Sequence, residues 1–228
     1  MTLLSPDKRT LLLHVPRTGG TARKRLLRKM GWTPCIYKAQ HHRLCDVQQM
    51  LGIDLQSLNN IVCVIREPAE RELSHWRWAW KSKQSSGPQF KFPTQHNTPD
   101  DFIADWRCHP IGYYERGWHT THYQHAAPAT LETAIAAGGY RYWLQCDNAY
   151  QLPIRIVLLE QQNEYFTDLC GSWVKFPREH SSDGSQQNAA FTRRGLDIVR
   201  RMYSWTYDTI GGMTWKSQEN QLNQAAAM

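Results

Sequence analysis

The sequence predicts an α/β domain with a central, mostly parallel sheet flanked by helices. Residues 10–15 and 61–65 are short, uncharged runs of aliphatic and β-branched residues, the composition of buried strands. Each run empties into a polar turn and then into a longer segment of helical character, the strand–turn–helix order that builds parallel sheets. A third run, 154–159, followed by a helical segment at 161–170, repeats the pattern.

The first turn reads His14-Val15-Pro16-Arg17-Thr18-Gly19-Gly20-Thr21. Pro16 ends the strand. Gly19 and Gly20 permit backbone geometry that other residues resist, so that consecutive N–H groups can point at one anion. Thr21 opens a helix expected over 22–30, whose N-terminus adds unpaired N–H groups and the positive end of its dipole. Arg17 supplies a full charge on a planar fork of donors. The turn is not the GxxxxGK[ST] loop of nucleoside-triphosphate binders. No Lys-Ser or Lys-Thr follows the glycines to hold a γ-phosphate and magnesium. Taken alone, these glycines also suit a plain strand-to-helix corner.

The second turn follows 61–65 with Arg66-Glu67-Pro68, then Arg71 and Ser74. Pro68 fits the first turn of a helix, where its missing N–H costs nothing, and 69–83 reads as that helix. Arg66 lies at the carboxyl end of its strand, where open α/β sheets bind ligands. Alone it reads as a surface ion pair. Paired with Ser74 and placed one strand from the first turn, it suits a ligand with two separated phosphates.

These residues resemble the sulfotransferase superfamily, in particular its carbohydrate and heparan-type branch and bacterial relatives. There the 5′-phosphosulfate loop typically reads His-Ile-Pro-Lys-Thr-Gly-Gly-Thr, and the 3′-phosphate element reads Val-Arg-Asp/Asn-Pro, then Arg, then Ser. Here the second element is Ile65-Arg66-Glu67-Pro68, Arg71 and Ser74. Members often carry a His before an intervening helix; here His41-His42-Arg43-Leu44 precedes 45–51. The run 156–160, ending in Glu160, looks like the family's late strand. The likeness covers residues 10–80 and, more thinly, 150–210; residues 84–150 match no motif.

The resemblance implies a three-layer P-loop-like domain that uses 3′-phosphoadenosine 5′-phosphosulfate (PAPS) and releases 3′,5′-adenosine bisphosphate (PAP). Arg17, Thr18, Gly19, Gly20 and Thr21 would meet the 5′ end, and Arg66 and Ser74 the 3′-phosphate. The acceptor would be a hydroxyl, such as that of a carbohydrate, and the design requires no metal. A histidine suits the general base at neutral pH. His41 falls where relatives place theirs, His42 is the reserve, and Glu67 and Glu70 are further carboxylate candidates. One departure is Arg17, where the family carries a lysine. Lysine is a compact point charge, whereas arginine is bulkier and binds in a fork.

The chain has 228 residues, enough for one α/β domain, expected over 1–215 with 216–228 as a disordered polar tail. Net charge is +7 and the pI about 9.2, a balance that concentrates anions. The densest basic run, Arg23-Lys24-Arg25 and Arg28-Lys29, falls on the first helix. Nucleic acid is not an expected partner. No apolar run approaches membrane-spanning length, and no signal or anchor segment is read at the start, so a cytoplasmic protein is expected. Six cysteines lie at 35, 45, 63, 108, 146 and 170, with no CxxC. Cys35, His41, His42 and Cys45 match no common zinc spacing.

Residues 81–97 read as a long loop or lid, and 102–107 as a short helix. Residues 111–125 form an aromatic- and histidine-rich segment suited to a sugar or to adenine, or to irregular packing. Helices are expected over 130–137, 141–146 and 192–209, the last amphipathic and rich in arginine. Two rivals stay open: a kinase-like phosphotransferase on the same fold, and a basic nucleotide- or polyanion-binding protein without turnover.

Overall fold

In the computed structural model, described over residues 2–35, 42–84, 97–105, 132, 135, 139–144, 151–177 and 189–210, five strands form one sheet. They are β1 (Leu3–Leu4), β2 (Thr10–Leu13), β3 (Thr33–Pro34), β4 (Asn60–Ile65) and β5 (Ile154–Leu158). The helices are α1 (Gly20–Lys29), α2 (Leu44–Leu51), α3 (Pro68–Gln84), α4 (Pro99–Ala104), α5 (Gly139–Leu144), α6 (Gln162–Cys170), α7 (Arg193–Met202) and α8 (Ser204–Ile210). Short 3-10 turns cover Leu55–Ser57 and Leu159–Gln161. The chain divides into two compact units, Met1–Arg66 with Tyr142–Ser181, and Glu67–Arg141 with Ser182–Met228.

The first unit carries the sheet, in the order β3-β1-β2-β4-β5. β2, β4 and β5 are parallel, with Leu11 opposite Ile61 and Ile65 opposite Leu158. All of Ile61 to Ile65 is buried, as expected for a central parallel strand covered on both faces. The other two pairings, β1 with β2 and β1 with β3, are antiparallel. The sheet is therefore mixed rather than mostly parallel. A tight turn reverses the chain after β1: the Lys8 N–H donates to the Ser5 carbonyl at 2.9 Å, and Lys8 is left-handed at φ 59°. Strands of two residues show no periodicity, so β1 and β3 left no signal in the sequence.

One face of the sheet, with Leu12, Val62, Val64 and Val157, packs against Ala22 and Leu27 of α1 and Phe166 of α6. Trp32, just beyond α1, meets Phe166 edge to face at 6.2 Å. At the start of α2, Asp46 accepts twice from Arg43: the backbone N–H donates to Oδ2 at 3.0 Å and the guanidinium to Oδ1 at 2.7 Å.

The second unit is helical where described. Glu67 caps α3, its Oε2 accepting the Glu70 N–H at 2.7 Å, with Pro68 as the first helical residue. Asp100 of α4 is buried and caps α7, accepting the N–H groups of Thr192 at 2.9 Å and Gly195 at 3.2 Å. A Cβ at Gly195 would stand 2.5 Å from that carboxylate, so the close approach requires glycine. Trp76 and Phe102 form a small core with Trp78, Trp80 and Ala189. The helix expected over 192–209 is interrupted at Tyr203 (φ −108°, ψ 17°), whose ring is fully buried. The shorter helices lie slightly earlier than read from sequence, at Pro99–Ala104 and Gly139–Leu144. Among the described residues, no helix is long and apolar enough to cross a membrane.

Candidate functional site

The first unit gathers the turn residues at the carboxyl ends of its parallel strands. The chain leaves β2 at Leu13, passes buried His14 and Val15, and turns through Pro16 and Arg17 into Thr18. Arg17 is left-handed at φ 66°, one of two non-glycine residues with positive φ among those described. Such a conformation costs about 1–3 kcal/mol and persists where surrounding structure enforces it. Gly19 is also left-handed (φ 76°, ψ 19°) and forms the N-cap of α1. No side chain caps α1, and no acidic residue lies in its first turn. Its leading N–H groups and the positive end of its dipole are thus disposed to receive an anion, with Arg17 beside them in sequence.

The turn is held from beneath by residues that show little surface. Thr18 is fully buried, and its hydroxyl donates to the Val15 carbonyl at 2.9 Å. The same oxygen accepts Arg23 Nη2 at 2.9 Å, and Arg23 Nη1 reaches Gln162 Oε1 at 2.7 Å on the first residue of α6. Arg23 is only 1% exposed. It belongs to the dense basic run of the first helix. Its position four residues before Leu27, on the same helical face as that core residue, is the signal that marks it as inward-facing. Gly20 lies against His14: a Cβ there would fall 1.8 Å from the His14 Nε2. The two glycines therefore have separate reasons, a left-handed backbone at Gly19 and a ring overhead at Gly20.

Arg66 follows β4 directly and is partly exposed. Since Leu13 pairs with Cys63, Arg66 and the Arg17 turn leave adjacent parallel strands at the same end of the sheet. Ser74 lies on α3 in the second unit and is partly exposed. Thr21 is exposed on α1. His41, the first candidate base, lies outside the described residues. So do the candidate lid except Lys81–Gln84 and Asn97, the aromatic segment 111–125, all but two residues of the expected helix 130–137, and the tail 216–228. His42 is described and is 2% exposed, the burial of a packed histidine.

Arg71, the second arginine of the resemblance, is fully buried in the second unit. It donates to Glu72 and to the Tyr203 hydroxyl, which in turn donates to Glu72. Its guanidinium also lies over the Tyr140 ring, 5.5 Å from the centroid. Burial opposes ionisation of Glu72, but the Arg71 cation overrides it and holds the carboxyl well below its ordinary value. Glu67 moves the other way, its carboxyl raised chiefly by burial. Arg71 is a packing residue of the second unit.

Cys35 and Cys45 are partly exposed thiols, pushed up by burial to about 12 and about 11. Among the described residues, no group of three or more His, Cys, Asp or Glu is placed to hold a metal ion. Comparison with protein-family models, with curated proteins and with solved structures finds no match to this chain.

Proposed function

We propose that the chain is a sulfotransferase that moves the sulfuryl group of PAPS to a hydroxyl acceptor, on a three-layer fold of the P-loop type. The observation that carries this reading is the Arg17–Thr21 turn: two left-handed residues, an uncapped helix N-terminus and an arginine, at the carboxyl end of a parallel strand. In the reading, a new bond forms between acceptor oxygen and sulfur as the bond from sulfur to the bridging phosphate oxygen breaks. The acceptor's proton passes to a base, His41 on the sequence pattern. The charge left on the departing phosphate is what the turn is suited to meet. Fixed amide donors and Arg17 need no reorganisation when that charge develops. Arg66, leaving the neighbouring strand at the same end, is assigned to the 3′-phosphate, and the sequence pattern adds Ser74 to that role.

Calorimetry with PAP tests the donor half. Micromolar binding that collapses in Arg66→Ala supports it and justifies an acceptor screen with His41→Ala as the catalytic control. No binding by the wild type overturns the reading. The second reading, binding without turnover, draws on Arg17 itself, a bulky fork in a strained conformation where relatives of the resembled family carry lysine. Arg17→Lys separates the two: turnover appearing only in the variant favours the binding protein.

A further inference from the structure

We propose that the outer face of the α1–α6 layer is a self-complementary docking surface for a second copy of this chain, the cations of α1 meeting the partner's α6 carboxylates. The two helices are parallel neighbours. Arg23 and Gln162 join their N-terminal ends at 2.7 Å, and Trp32 packs on Phe166 toward the other end. Both cover the same face of the sheet, so their exposed side chains project from one outer surface.

The charges on that surface are sorted by helix. α1 presents Arg25, Arg28 and Lys29, and its ten residues include no acid. α6 presents Glu164 and Asp168, and its nine residues include no lysine or arginine. Among the described residues, Arg28, Lys29, Glu164 and Asp168 form no ion pair. Helix-dipole compensation accounts for Arg28 and Lys29 in the last turn of α1 and for Glu164 in the first turn of α6. It does not account for Asp168, a carboxylate at the negative end of its helix.

The spacing fits a two-fold partner. Each stripe starts two residues past the Arg23–Gln162 link, at Arg25 and at Glu164. Each then runs four residues, about 6 Å at the helical rise. A two-fold axis lying in the interface, between the two helices and parallel to them, lays α1 on the partner's α6 in the same direction. Lys29 then lies level with the partner's Asp168, and Arg28 falls between the partner's Asp168 and the partner's Glu164. The same contacts repeat on the other side of the axis, as an isologous interface demands. Trp173, 80% exposed just past α6, is the more exposed of the two large hydrophobic residues open to solvent among those described. Its neighbours Val174 and Phe176 are anchored in the core, which holds the loop in place. It supplies the aromatic contact that charge stripes lack.

Sedimentation velocity on the full chain tests this. The wild type is expected to dimerise at low salt and dissociate as salt rises. The double variants Arg28→Glu/Lys29→Glu and Glu164→Lys/Asp168→Lys should each weaken the dimer about tenfold or more. An equimolar mixture of the two should recover a dimer containing one of each, which also shows that both are folded. Trp173→Ala should weaken the wild-type dimer and leave its salt dependence in place. A wild type that stays monomeric at low salt overturns the proposal, even if α1 then retains the chain on a polyanion resin. A dimer indifferent to both charge reversals overturns it equally.

Discussion

The Cα of Gly20 lies beneath the imidazole of His14, so close that a methyl group would fall 1.8 Å from Nε2. Overpacking of a buried contact costs about 1–3 kcal/mol. Gly20→Ala is therefore expected to destabilise the chain by about that amount in urea unfolding. In a His14→Ala background the ring is gone and most of that cost should vanish, a coupling that a double-mutant cycle measures. Equal costs in both backgrounds would refute the contact.

Arg23 ties the anion-receptive turn to α6 through Thr18 and Gln162. Hydrogen bonds to a charged group contribute about 1.5–3 kcal/mol. Arg23→Leu keeps the buried stem and removes the fork, with an expected loss of about 3 kcal/mol. Arg23→Lys keeps the charge but cannot reach both partners with a fixed fork, and should fall between the two. If the turn binds PAP, both variants should weaken that binding more than Arg25→Leu, on the exposed face of α1, does.

Glu72 makes the second unit sensitive to acid. Its folded pKa lies below the ordinary value of 4.5, because Arg71 outweighs burial. The unfolded chain thus takes up the proton first as pH falls. The contribution of Glu72 is complete above about pH 4.5 and is lost as pH drops through the lower folded value. Glu72→Gln should cost about 3–5 kcal/mol at neutral pH by leaving the buried guanidinium without its carboxylate. It should also flatten the fall in stability below pH 4.5. An unchanged acid profile in the variant would remove Glu72 as its source.

Cys35 and Cys45 should react slowly despite partial exposure. With thiols raised to about 12 and about 11, the thiolate fraction at pH 8 is about a thousandfold and a hundredfold below that of a free cysteine. Alkylation by iodoacetamide, followed by peptide mass spectrometry, should rise about tenfold per pH unit from pH 8 to pH 10 at both sites. Fast labelling at pH 8 would mean that burial is not governing these thiols.

Residues 61–65 needed no tertiary information. An uncharged β-branched run ending in Arg66-Glu67-Pro68 specifies a buried strand and a helix start by local chemistry, and β4 and α3 lie there. The glycines of the first turn were equally legible, since left-handed backbone at Gly19 follows from residue type in a tight turn. Composition and spacing in the sequence alone thus determined the parallel core β2-β4-β5, the helices that follow each of those strands, and the position of the Arg17–Thr21 turn at a strand end. Contacts between distant residues decided the rest. β1 and β3 are too short to carry a pattern: β1 pairs with β2 because the Lys8 turn folds the chain back, and β3 is defined by its pairing with β1. Arg23 became a buried strut because Gln162, 139 residues away, accepts its bond. Arg71 became a buried ion-pair member because Tyr203, 132 residues away, closes over it. An arginine's role is set by which groups desolvate it and accept its protons, and those partners are supplied by tertiary packing rather than by its neighbours in the chain.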